Sequence, residues 1–238
     1  MSIYIPTGQT VDILAFGAHP DDVEIGMGGT ISKHTAAGVK VAICDLTRAE
    51  MSSNGTVEIR WQEAAVAAEL LGVAERSVLN LPDRGLTGAA EQIEAIVREI
   101  RRLRPRIVFA PYWEDRHPDH GACSRLVEEA VFNAKLRNYL PELPAVQVEQ
   151  LLFYYINDSA DVSLLVDVSG QYNQKRASLR AYKSQFMGAG AGEDRVATPL
   201  TDRYIERVEA RDMLLGQTKH WQYAEGFAIK RPHVVELF

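Results

Sequence analysis

Two cysteines in 238 residues, Cys44 and Cys123, are too few for a disulfide framework. Cys44 stands in the apolar run Val41-Ala-Ile-Cys44, and Cys123 falls inside a predicted helix; a small buried thiol is the expectation for both. No apolar run approaches the ~20 residues needed to cross a bilayer. Met1–Thr10 lacks the charged start and long apolar stretch of a secretory leader. Positive charge is not in surplus either: 26 Lys and Arg stand against 32 Asp and Glu, for a net charge of −6. That excludes a global basic field for nucleic acid or an anionic membrane. The one basic run, Arg98, Arg101, Arg102, Arg104 and Arg106, overlaps a predicted helix end, where cations complement the helix dipole. It reads as a solvated helix terminus. Repeats and low-complexity tracts are missing too. A cytoplasmic protein without nucleic-acid or membrane partners is the expectation.

What is present is ordinary for one globular domain: 46% hydrophobic and 24% charged residues, in a chain long enough to need no staples. Ile13–Phe16, Val39–Cys44, Val78–Leu81 and Ile107–Ala110 read as buried strands. Helical patterns lie between and after them, at about 24–37, 58–71, 90–104 and 120–137. Ala64, Ala65, Ala68 and Leu71 form one helical stripe, and Gly38 and Gly72 stand where left-handed caps end helices. Leu151–Ile156 and Leu164–Val168 read as further strands, followed by helices at about 170–185 and 201–217. Met187-Gly-Ala-Gly-Ala-Gly192 is a loop of the kind that serves as a lid. Residues 222–238 read as a short strand and tail. Strand–helix alternation predicts an α/β fold, a Rossmann-like three-layer sandwich. Its sheet is mostly parallel, of order 3-2-1-4 extended by later strands. Residues 1–140 form the core, and 141–238 complete the same domain.

In that order strands 1 and 4 are neighbours, and a crevice opens between their carboxyl ends. His19-Pro-Asp-Asp22 follows strand 1 and His117-Pro-Asp-His120 follows strand 4. Two polar clusters far apart in sequence therefore face each other. His19, Asp21, Asp22, His117, Asp119 and His120 exceed what a structural hydrogen-bond network needs. Catalytic zinc sites take three His or carboxylate ligands and leave one position open, and leftover groups serve as general acid and base. The i, i+3 spacing of His19/Asp22 and His117/His120 puts each pair on one side of a helical turn. Pro20 and Pro118 stiffen the loops.

Blander readings exist for each part. Asp21 or Asp22 alone is a helix N-cap, and an isolated His-x-x-His arises by chance. Gly26-Met-Gly-Gly-Thr30 fails the dinucleotide pattern because Ile31 stands where the third glycine belongs, so close helix packing explains those glycines better. A closed four-ligand site in a non-catalytic metal protein would leave no free base, whereas six candidate groups are available here. His34 lies within the first predicted helix and reads as a surface residue, and His220 and His233 follow the last helix with no partners nearby in sequence.

Ala18-His-Pro-Asp-Asp22 and His117-Pro-Asp-His120 resemble the two signature motifs of the LmbE/PIG-L family of zinc-dependent N-acetylglucosaminyl deacetylases. Phe16–Met27, Cys44–Thr47, Ser52–Thr56, Leu81–Leu86, Glu114–His120 and Tyr223–Phe227 are similar to its bacillithiol-biosynthesis branch, across nearly the whole chain. The resemblance implies His19, Asp22 and His120 as ligands of Zn²⁺; mixed His/Asp ligation also suits Fe²⁺ or Mn²⁺. It implies Asp21 as general base. His117 would stabilise the oxyanion and protonate the leaving amine, with Asp119 orienting it. Arg60 and Asp83 would contact substrate, Arg60 through carboxylates and Asp83 through sugar hydroxyls, and Tyr204 would assist at the carbonyl. The implied reaction converts N-acetylglucosaminyl-malate, a small molecule, to glucosaminyl-malate and acetate. The implied assembly is a homo-oligomer, a hexamer.

Overall fold

The computed structural model describes residues 11–187 and 195–232. The glycine-rich stretch expected as a lid lies, from residue 188, outside the described residues, as do the first ten residues and the tail beyond 232. Ile13–Gly17 (β1) is buried along its whole length, as an apolar strand covered on both faces must be. Val41–Thr47 (β2), Glu75–Leu81 (β3), Ile107–Pro111 (β4) and Gln150–Tyr154 (β5) run parallel to it. Leu164–Asp167 (β6) and Ala224–Ala228 (β7) complete seven strands in the order β3-β2-β1-β4-β5-β7-β6, with β7 antiparallel to both neighbours. The expected 3-2-1-4 core and its extension by later strands are what the structure contains.

Helices cover both faces. Ala90–Leu103 (α3) and Pro118–Ala134 (α4) close one apolar core with Leu14, Phe16, Cys44 and Val108. Asp22–Ala36 (α1), Tyr172–Ala181 (α5) and Tyr204–Gln217 (α7) close the other with Ile13, Ala15, Ile43 and Tyr154. Val57–Leu70 (α2) and the short Lys183–Phe186 (α6) pack beside α5. Both cysteines are buried and free. Among the described residues no helix is long and apolar enough to cross a membrane.

Three local features depart from the sequence reading. On α2 the inward stripe is Arg60, Ala64, Ala67 and Ala68, while Ala65 faces out. Arg101 is not a solvated cation: it is 3% exposed and donates to the carbonyls of Asn133, Ala134, Leu136, Leu140 and Leu143. One side chain thereby ties the end of α4 to the turns that follow it, adding a charged donor to carbonyls most of which also accept a backbone amide. Helix α1 breaks at Met27, whose φ of −147° is non-helical. The amides of Gly29 and Thr30 that the break exposes donate to the Glu225 carboxylate at 2.9 and 2.6 Å. The glycines there do serve close packing: a Cβ on Gly26 would lie 2.1 Å from the Tyr154 ring.

Candidate active site

β1 and β4 are adjacent, and the turns leaving their carboxyl ends meet. Eight of the nine sequence-predicted residues line one cavity of about 470 Å³: His19, Asp21, Asp22, Arg60, Asp83, His117, His120 and Tyr204. The ninth, Asp119, stands against His19 with its Oδ2 3.5 Å from Nε2.

Asp22 is the pivot between the two motifs. Its Oδ1 lies 3.2 Å from His120 Nε2 and its Oδ2 3.6 Å from His19 Nδ1. Donors held by a tetrahedral cation at about 2.1 Å stand about 3.4 Å apart, and each of these separations, made by a different oxygen of Asp22, is close to that. Two groupings have ligand atoms that all lie within 4.8 Å of one another: His19, His117 and His120, and His19, Asp83 and Asp119. His19 belongs to both and also faces Asp22.

Each of the two imidazoles that face Asp22 has a carboxylate on its other nitrogen. His19 Nε2 lies 3.1 Å from Asp83 Oδ1, and His120 Nδ1 lies 2.9 Å from Asp115 Oδ1. Burial would push both imidazoles down. Hydrogen bonds to Asp119, Asp22 and Asp83 outweigh it at His19, and the Asp22 charge and a hydrogen bond to Asp115 raise His120 to about 9. Burial would raise Asp22; the charge of His120 and hydrogen bonds from both imidazoles instead hold it well below the usual carboxylate range.

Asp21 stands apart from this set. Its backbone has φ 115°, in the left-handed region that costs a non-glycine residue energy, and its side chain makes no N-cap hydrogen bond to α1. The N-cap reading of Asp21 therefore fails, because the carboxylate is turned to Arg60, whose Nη2 donates to Oδ2 at 2.8 Å. Burial pushes the Asp21 carboxyl up to about 7, against the pull of that guanidinium. A buried carboxyl poised there is suited to accept a proton at neutral pH. Arg60 is itself 5% exposed, and its Nε and Nη2 also donate to the Pro20 carbonyl. Its guanidinium is turned to the turn carrying Asp21 rather than held open for a substrate carboxylate.

His117 is the N-cap of α4, its Nδ1 accepting from the Asp119 amide at 3.3 Å. That hydrogen bond assigns the ring hydrogen to Nε2. Burial and the neighbouring charges of His120 and His19 hold His117 below the ordinary histidine range, so a resting protonated His117 is disfavoured. Asp119 is turned away from it: besides its approach to His19, its carboxylate accepts from the Arg84 amide at 2.8 Å and Nη1 at 3.0 Å. Tyr204 donates to Asn157 Oδ1 at 3.0 Å and to the Ile156 carbonyl at 3.3 Å. Asp83 spends its second oxygen on the Met51 amide.

Sequence reasoning missed Asp115, Asn157 and Arg84. Asp115 lies inside the quoted Glu114–His120 segment, five residues before a candidate ligand, and an acid so close to a ligating histidine was the available signal. Arg84 lies likewise inside the quoted Leu81–Leu86 segment, directly after Asp83, whereas nothing in spacing pointed to Asn157.

Comparison with known proteins adds an independent line. The sequence profile of the family described as "PIG-L: GlcNAc-PI de-N-acetylase" matches residues 14–131. A diacetylchitobiose deacetylase of Thermococcus kodakarensis is 33% identical over 236 residues, which cover 93% of this chain and 84% of that protein. A probable N-acetyl-alpha-D-glucosaminyl L-malate deacetylase of Bacillus cereus is 29% identical over 188 residues, covering 73% and 83%. The crystal structure of the conserved protein TT1542 from Thermus thermophilus superposes with a TM-score of 0.87 at 39% identity, over 95% of this chain and 97% of that one.

Proposed function

The chain belongs to the PIG-L family of deacetylases, and on that premise we propose that it hydrolyses the acetamide of an N-acetylglucosamine unit in a small glycoside, releasing acetate. The observation that carries this reading is Asp22, whose two oxygens face nitrogens from both motifs at 3.2 and 3.6 Å while a second carboxylate, Asp21, stands beside it paired to Arg60. A closed structural metal site has no use for that second group.

His19, Asp22 and His120 would hold the cation, Zn²⁺ in the first instance. The Asp22 side of His19 is preferred over the Asp83–Asp119 side because it leaves the outer carboxylates as acceptors for the ring N–H groups, which ligating histidines require. Such a cation supplies Lewis acidity, polarising the acetyl carbonyl and making water acidic near neutral pH.

The chain's own groups do the rest. Asp21 takes the proton of the attacking water, held in aim by Arg60. His117 offers its Nε2 hydrogen to the developing oxyanion, a donor worth about 3–4 kcal/mol when well placed. Neutral His117 has no spare proton, so the one Asp21 took from the water passes to the departing amine as the C–N bond breaks, leaving acetate and an ionised base. Asp83, Asp119 and Tyr204 hold the walls.

The finer substrate is N-acetylglucosaminyl-malate, supported by the segment matches and by the Bacillus relative. Diacetylchitobiose is the second reading, supported by the Thermococcus relative's fuller coverage. A cytoplasmic homo-oligomer belongs to the same proposal. Metal analysis of the purified protein, coupled to acetate release from both substrates, tests it. Asp21→Asn should keep its metal and lose at least about 100-fold in turnover, whereas His120→Ala should lose the metal. Normal turnover by the first variant would remove Asp21 from the base role.

A further inference from the structure

The segment between β4 and α4 carries one buried carboxylate that neither lines the catalytic cavity nor repeats a motif ligand. Asp115 has a side chain 5% exposed and collects four donors. Its Oδ1 takes His120 Nδ1 at 2.9 Å, the His117 amide at 2.8 Å and Asn157 Nδ2 at 2.8 Å; its Oδ2 takes the Asn157 amide at 3.3 Å. Asn157 follows β5, so the carboxylate is clamped from a different strand than the one that bears it. Asn157 is fixed in turn by Tyr204, whose hydroxyl donates to its Oδ1 at 3.0 Å.

We infer that Asp115 is a positioning residue: it fixes the tautomer and the rotation of His120, and Asn157 locks it in place to do so. This rests on the reading of His120 as a metal ligand. An ionised carboxylate on Nδ1 keeps the hydrogen there and leaves the Nε2 lone pair facing Asp22, 3.2 Å away. Two acceptors then confront each other with room for a cation between them. A neutral partner, or a carboxylate free to swing, would let the hydrogen shift to Nε2 and the ring rotate. Outer carboxylates of this kind typically contribute 10- to 100-fold in metal affinity. The residue acts through His120 and does not touch substrate.

The test measures Zn²⁺ affinity by competition with a chromogenic chelator, together with the visible spectrum of the Co²⁺-loaded protein. Both readouts ignore turnover. Asp115→Asn preserves shape and should weaken Zn²⁺ binding about 10- to 100-fold and alter the Co²⁺ bands. Asn157→Ala leaves the charge in place but unlocks it, and should weaken binding by less, within about tenfold. It also serves if the first variant does not fold. Melting of the metal-free proteins separates a loop-tethering role, which would lower stability and leave affinity unchanged. Wild-type affinity and spectrum in either folded variant overturn the inference. If His120→Ala itself binds zinc normally, the ligand reading has failed instead.

Discussion

Arg60 and Asp21 are joined at 2.8 Å, one from the inward face of α2 and the other from the turn after β1, with both side chains at most 6% exposed. The guanidinium is the largest influence that restrains the rise of the Asp21 pKa caused by burial. Replacing Arg60 with Met removes that restraint, so Asp21 keeps its proton to higher pH and fewer molecules carry the free base at neutrality. The acid limb of the kcat/KM profile should move upward from about 7, where Asp21 stands in the protein alone. An unmoved limb would separate Arg60 from the base.

The histidine pair makes the stability of the protein without metal depend on pH. His120 is raised to about 9 from an ordinary 6.5. A raised imidazole stabilises the fold fully below its unfolded value, and that contribution drains away as pH climbs through the folded one. Chelator-treated protein should therefore melt lower at pH 9 than at pH 6.5, the window set by those two values. On the proposed reading a bound cation replaces the proton, so loaded protein should show a flatter profile, and His120→Gln should flatten the stripped one. Identical slopes with and without chelator would contradict the exchange of proton for metal.

Lys175 is fully buried between Asp212 and Glu225, each 2.6 Å from its Nζ. Glu225 also holds the broken turn of α1 through Gly29 and Thr30. Lys175→Met strands two buried carboxylates and should cost about 3–5 kcal/mol in urea unfolding. Because the turn of Asp21 and Asp22 opens the same helix, metal affinity should fall with it. A loss under about 1 kcal/mol would mean that the remaining partners, Tyr172 and Arg211 on Asp212, carry the charge.

The meeting of the two motif turns was legible because short apolar strands and short connections leave few sheet orders, and in the predicted one strands 1 and 4 touch. Residue types then named the chemistry. Roles were harder. Asp119 looked like the partner of His117, yet its direction is set by the turn at Arg84, which has φ 61° and brings an amide and a guanidinium to it. Arg101 looked solvated because the carbonyls it reaches lie in the last residues of α4 and in the turns beyond it, which have no periodicity. Asp115 and Asn157 pair only after β4 and β5 align, and no spacing in either segment announces it.

The left-handed backbone at Asp21 sets a choice between hardiness and work. Asparagine tolerates that conformation as aspartate does and still offers Arg60 an oxygen, so Asp21→Asn should keep the fold as it gives up turnover. A screen that rewards endurance alone would not notice inert protein arising at this one position.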